Sequence, residues 1–304
     1  MSLSFKKFCL AGALLFAATG VSVADEALKP FTLAYTATGD LQQVTQEVTQ
    51  KITAAGFEVV GSYSPYDGAT VLAITSPALK KAAASSAFGG YAAAQRVSLT
   101  QIDEQIQVTY TNPTYYGSAY RLEDSDDLQQ AETALAGALG KEQIYGTGNK
   151  EIGEDKLRKF RYMIGMPSFS NPNTLAEYAN QDAALAAVEA GLEARKGGAS
   201  KVYRIDIPGK QESVFGVALT EGCSADQYIM SRIDRDSLRS TGHLPYEILV
   251  SDGKVYALHG RFRIAISWPH LPMMQSATGA TFFSIMCAPG AIEEALTQAA
   301  EGGI

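Results

Sequence analysis

One pattern is written into this chain twice, and it limits the fold more than any other feature. Residues 31–63, FTLAYTATGDLQQVTQEVTQKITAAGFEVVGSY, open with alternating apolar positions and pass into a run where Leu41, Val44, Val48 and Ile52 recur at spacings of three and four. Alternation by two puts apolar side chains on one face of a strand, and the three-then-four spacing gathers them on one face of a helix. Asp40 offers an N-cap oxygen and Gly56 a C-terminal stop. FEVVGSY and TVLAITS read as a hairpin across SPYDG, a short second helix opens at Ser76, and RVSLTQIDEQIQVTYTNP (96–113) supplies closing strands.

The same order returns at 159–172, KFRYMIGMPSFSNP, read as a strand opening on an aromatic residue. A helix follows with Leu185, Val188 and Leu192 on its apolar face and Gly197 as stop; then come KVYRIDI and SVFGVAL, and a second cap at Ser224. YEILV and KVYAL flank Asp252–Gly253 as a hairpin, and RFRIAISWP reads as one further strand, with Phe262, Ile264, Ile266 and Trp268 on a core-facing stripe. IQVTYTNP can be set against KVYALHGR or against FRIAISWP. Either register makes each copy β-α-β-β-α-β-β. The expected fold is therefore α+β: two tandem units related by a pseudo-two-fold, each a mainly antiparallel sheet with helices packed on one face. The first unit spans 25–125, a linker helix (Leu128, Leu135, Leu139) and turn-rich loop span 126–158, and the second unit spans 159–304. A closing helix carries Pro289 in its first turn and Ile292 and Leu296 at spacing four.

Residues 1–24 read as a secretory signal: Lys6 and Lys7, a short apolar core, then small residues at Ser22 and Ala24. The residues before Cys9 lack the small side chains expected ahead of a lipid-modified cysteine, so cleavage near Ala24 is expected to leave a free periplasmic or secreted protein. No later stretch reaches the ~18 apolar residues of a membrane span. Losing Lys6 and Lys7 takes the formal charge from −7 to −9. With no basic cluster, that balance argues against nucleic acid and anionic membranes as partners. Cys223 and Cys287 form an even pair in an exported chain, read either as a disulfide or as two buried thiols.

ITSPALKKA, RVSLTQIDEQIQVTYTNPTYY and HLPYEILVSDGKVYAL resemble, in that order, the bacterial domain-of-unknown-function family numbered three hundred and two. The resemblance covers most of 31–116 and 160–271. It implies a compact α+β sandwich that associates in pairs, so that a tandem copy is a covalent pseudo-dimer. It transfers no catalytic residue. Tyr246 stands where many members have cysteine after LP, and 262–268 has no clear counterpart.

All three histidines fall within HLPYEILVSDGKVYALHGRFRIAISWPHLPMM (243–274). A hairpin brings His243 and His259 to one sheet end, while a third strand carries His270 to the other, about 17–20 Å away at about 3.3 Å per residue. His243 and His259, completed by Met163 or Met166, are a candidate copper or haem site. Solvated turn residues are the bland alternative. His270, Met273 and Met274 form a weaker candidate, read equally as a proline-braced apolar plug. Tyr110, Tyr115 and Tyr116, with Tyr120, either line a ligand pocket or pack the junction between the first copy and the linker helix. Hydrolase, metalloprotease and nucleotide-binding signatures are not found. Three functions follow in order: an exported non-catalytic binding or sensing protein with its unknown ligand in the groove between the copies; a periplasmic copper- or haem-binding protein; and a hydrolase or redox enzyme. The assembly is expected to be a monomer with an internal pseudo-dimer, or a homodimer.

Overall fold

Capping residues and apolar spacing place the first elements. The computed structural model describes residues 27–302; the segment read as an export signal lies outside the described residues. β1 (Phe31–Thr38) leads into α1 (Leu41–Ala54), where the Asp40 carboxylate accepts from Gln43 N at 2.9 Å and Val44, Val48 and Ile52 are buried. β2 (Glu58–Tyr63), β3 (Ala69–Thr75), α2 (Pro77–Ala84), β4 (Gln95–Ile102), β5 (Gln105–Thr111) and α3 (Pro113–Ala119) follow, then α4 (Asp126–Leu139), β6 (Gln143–Tyr145) and α5 (Glu154–Arg158). The second half comprises β7 (Asn173–Glu177), α6 (Gln181–Glu193), β8 (Ala199–Asp206), β9 (Glu212–Leu219), α7 (Asp226–Ile233), β10 (Tyr246–Ser251), β11 (Lys254–Ala257), α8 (Gly260–Ser267) and α9 (Ala288–Ala300).

These strands form two antiparallel sheets, ordered β2-β3-β4-β5-β1-β6 and β8-β9-β10-β11-β7. Except for β6, the two orders match in chain sequence. Bulges fall alike too: Ala34 in β1 and Leu175 in β7, Val60 in β2 and Val202 in β8. Helices α1, α2 and α4 cover one face of the first sheet, against Leu72, Ile74, Val97 and Leu99; α6 and α9 cover Phe215, Val217, Ile248 and Val250 of the second. The other face of the first sheet is buried but polar, because Arg96, Ser98 and Thr100 alternate with Val97 and Leu99 along β4.

What covers that polar face comes from the other half. Residues 234–243, after α7, lie over it, with Thr241 Oγ1 2.8 Å from Thr100 Oγ1 and Gln107 Nε2 donating to Ser237 O at 2.7 Å. The segment after α2 crosses over the second sheet in the same way: Gly90 N donates to Glu212 Oε1 at 2.8 Å, and a Cβ at Gly90 would meet Leu249 Cδ1 at 2.6 Å. Edge strands β2 and β8 press together so closely that a Cβ at Gly61 would lie 2.2 Å from Val202 O. Only glycine fits there.

Three expectations are corrected. The strand expected over 159–172 is turn structure; Gly165 (φ 83°) and Pro167 break the alternation, and the strand is β7 at Asn173–Glu177. The expected strand 262–268 is instead α8. Every residue from Phe262 to Ser267 is buried, so the contrast between apolar and polar faces that normally reveals the period is missing. The helix sends Phe262 and Ile266 into one core and Ile264 and Trp268 into the other, leaving Arg263 and Ser267 on a stripe between them. At the same place in the element order of each half, Asn112 caps α3, accepting from Thr114 N at 2.9 Å, and His259 caps α8, accepting from Arg261 N at 3.3 Å. Finally, Ser76 caps α2 but Ser224 does not cap α7; its hydroxyl donates to Glu221 O at 2.7 Å.

A disulfide, Cys223–Cys287, ties the turn before α7 to the start of α9 with 6.0 Å between Cα atoms. No helix among the described residues is long and apolar enough to cross a membrane. Mass spectrometry of the unreduced protein is expected to show the loss of two hydrogens at this pair. The double replacement Cys223→Ser, Cys287→Ser is expected to cost about 2–4 kcal/mol in denaturant titration.

Candidate functional site

Part of the histidine stretch, His243 to Glu247 and Phe262 to Trp268, is sealed in a seam between the halves. Arg96 and Glu247 are each the second residue of their strands, β4 and β10, and they meet as an ion pair with both side chains 1% exposed. Arg263, 2% exposed, completes a triad by donating from Nε to Glu247 Oε2 at 3.0 Å. Arg96 also donates to Ala94 O at 3.1 Å and reaches Tyr203 Oη at 3.4 Å. Room for that phenol is made by Gly216, where a Cβ would stand 2.1 Å from the Tyr203 ring.

His243 sits beside this triad, fully buried between Trp268 and Tyr246, with ring centroids 4.7 and 5.1 Å away. Nδ1 lies 2.8 Å from Ser267 Oγ and 3.4 Å from Arg263 Nη1; Nε2 lies 3.0 Å from Tyr246 Oη. A guanidinium only donates, so Nδ1 accepts and the proton rests on Nε2, directed at Tyr246. Burial first, then Arg263 and Arg96, holds the imidazole pKa far below its usual value, so it stays neutral. Both nitrogens are therefore committed to the protein. Ser267 and His243 touch as a nucleophile and base would, yet no acid orients the ring and the pair is shut off from solvent.

His259 is partly buried and caps α8, and His270 bonds Gly146 O and Asp236 Oδ2, each at 3.0 Å. The expected copper or haem pair is thus divided between a packing role and a capping role, and the strand expected to carry His270 away does not exist. No group of three or more His, Cys, Asp or Glu side chains among the described residues is placed to hold a metal. Of the methionines, Met166, Met273 and Met274 do gather around one cavity, while Met163 is half-exposed outside its lining. The three tyrosines of the cluster are held by hydrogen bonds within the protein. Tyr115 donates to Ile266 O at 2.8 Å, Tyr116 Oη lies 3.1 Å from Ser267 Oγ, and Tyr110 donates to Gly140 O at 3.1 Å. Tyr110 packs against the end of the linker helix as one reading had it; the other two bind the first half to α8.

Open clefts lie on either side of the seam. The first, about 400 Å³, is made by Tyr66 and Asp67 of the β2–β3 turn, Thr100 at the end of β4, and Asp234, Arg235 and Arg239 following α7. The second, about 500 Å³, is made by the β8–β9 turn with Lys210, the end of β10, and Phe88 following α2. In the second cleft Glu212 is held by Gly90 N. In the first, Asp234 Oδ1 accepts from Ser240 N at 2.8 Å while Oδ2 is buried with no partner among the described residues. Burial pushes the Asp234 carboxyl up to about 7. Among the described residues the Arg235 and Arg239 guanidiniums bond only to carbonyl oxygens (Ser231, Thr278 and Asp234), and neither meets a carboxylate. Close by, buried Asp226 accepts from Tyr63 Oη at 3.0 Å, and burial pushes it up to about 8.

Arg96, Glu247, Arg263, Asp226 and Asp234 were not singled out from sequence. The signal for the first three was a lone charge inside an apolar run, as in YEILV and RFRIAIS. For Asp226 and Asp234 there was none, since both stand in polar stretches. No family model, curated protein or solved structure matches the chain.

Glu247→Ala leaves two buried guanidiniums unbalanced and is expected to destabilise by about 3–5 kcal/mol, whereas replacing the triad by Met, Leu and Met at 96, 247 and 263 is expected to be near neutral. Denaturant titration of both variants checks this. Asp226 and Asp234 have folded values above the unfolded carboxylate value of 3.8, so the stability they contribute at low pH is lost as pH rises towards about 8 and about 7 respectively. Asp226→Asn and Asp234→Asn are expected to flatten that loss in melting temperatures measured from pH 4 to pH 9, a range set by those two values.

Proposed function

We propose that the chain is an exported, non-catalytic binding protein of two fused α+β units. In this reading it holds a small polar molecule bearing a carboxylate or phosphate group in the inter-unit cleft at Asp234. Matching strand orders, paired bulges and the reciprocal crossing of each unit's post-helix segment over the other sheet support duplication. Asn112 and His259 capping corresponding helices support it too. On this reading Arg96 and Glu247 are the same position in the two copies, diverged into opposite charges. A covalent pseudo-dimer with a sealed two-fold seam fits the family resemblance, and a disulfide at Cys223–Cys287 fits an oxidising compartment.

One observation carries the choice of site: an unpartnered buried carboxyl oxygen, with two guanidiniums lacking carboxylate partners, in a cleft of ligand size. Protonated, Asp234 is neutral beside an anion that Arg235 and Arg239 neutralise; ionised, it repels it. Binding is favoured over catalysis because the Ser267–His243 contact lies outside any cleft described above.

Thermal-shift assays with phosphate, sulfate, acetate and succinate are expected to find at least one stabilising anion. Its effect should be stronger at pH 6 than at pH 8, either side of the Asp234 value of about 7, and lost in Arg239→Gln. Failure of every anion to shift the melting temperature would count against the proposal.

A further inference from the structure

A third cavity, about 340 Å³, lies away from the seam, between the 159–172 connection and the segment joining α8 to α9. Its walls are apolar: Met166, Met273, Met274 and Met286, with Phe282 and Phe283. Met274 and Met286 are 73% and 69% exposed, an unusual outlay of hydrophobic surface for residues that also border a concavity. The walls are braced. Tyr162 donates to Leu271 O at 2.8 Å and its ring lies 4.8 Å from that of Phe282; Phe282 N and Phe283 N donate to Pro272 O and Met273 O at 3.0 Å. The disulfide at Cys287 adjoins Met286, and Gly260 lets α8 approach Pro289 so closely that a Cβ would stand 3.0 Å from its Cα.

One charge enters this lining, that of Arg261. Its backbone N–H is used by His259, and its guanidinium has no hydrogen-bond or ion-pair partner among the described residues. No acidic side chain lines the cavity. An apolar pocket with a single convergent charged group is how proteins hold amphiphiles: the body is buried and the charged group fixes orientation. Thioethers suit such a role because their flexible, polarisable chains adapt to differing shapes.

We propose that this cavity is a second binding site, for amphiphilic monoanions, with an aliphatic or aromatic body among the methionines and phenyl rings and the carboxylate or sulfonate at Arg261. It is separate in place and chemistry from the cleft at Asp234, so either site can fail without the other.

The test uses the whole mature protein and the fluorescent probe anilinonaphthalene sulfonate, displaced by decanoate or by uncharged decanol below micellar concentrations. The native protein is expected to bind the probe and release it to decanoate. Arg261→Gln should weaken decanoate about tenfold, the loss of one charge-assisted contact, and leave decanol unchanged. Met273→Glu with Met274→Glu, at surface positions that leave folding intact, should abolish both. An absence of probe binding, equal decanoate affinity in Arg261→Gln, or binding untouched by the double glutamate variant would overturn the proposal. So would stoichiometric silver(I) binding lost on Met→Leu replacement without any decanoate binding, which would make the thioethers a soft-metal site.

Discussion

Two guanidiniums share one carboxylate at the joint of this protein, with almost no access to water. An ion removed from solvent is costly unless its partners are fixed in place, so Arg96, Glu247 and Arg263 require the sheets and α8 to meet in one relative position. Everything near the joint is cut to that requirement. Gly216 clears space for the Tyr203 phenol that meets Arg96, Gly61 lets the edge strands touch, and neutral His243 fills the remaining polar volume without adding charge. The first half's apolar core runs across the joint to Tyr203, Ile205, Val214 and Leu249, so apolar packing holds the halves together as well as the triad.

That arrangement explains why polar residues sit where a simple sandwich would be dry. Each half extends the segment after its second helix across the partner sheet; the face so covered on the first sheet is rich in Thr, Ser and Gln, of which Thr100 and Gln107 bond across the seam, while the second sheet presents Val214 and Leu249 there. Where those segments leave the sheet ends, clefts remain. They are built from corresponding elements but have different chemistry: the cleft at Glu212 has its carboxylate satisfied by Gly90 N, and the one at Asp234 has an oxygen left over. The two clefts therefore differ in one respect: the carboxylate of one is held inside the protein, and that of the other keeps a buried oxygen without a partner among the described residues.

Much of the fold was legible in the chain because local chemistry was unambiguous. Asp40 and Ser76 cap the helices their positions indicate, the faces of α1, α4 and α9 are buried where spacing put them, and Asp252–Gly253 takes the positive backbone angles of a tight hairpin turn. Reading failed where burial was total or the backbone irregular. From Phe262 onwards α8 is enclosed on every side, so alternating Phe262, Ile264 and Ile266 imitated a strand, and 159–172 carries strand-like residues that Gly165 and Pro167 prevent from pairing.

By itself, then, the sequence determined the α+β class, the order of elements in each half and the caps of α1 and α2, since each depends on residues a few places apart. Which groups meet across long separations was decided only in three dimensions. Arg96 reaches Glu247, Tyr63 reaches Asp226, and four methionines from three segments border one cavity. The physical reason is that desolvation depends on the whole surroundings of a group. A histidine between two strands reads the same whether it faces solvent or, like His243, lies sealed between an indole and a phenol.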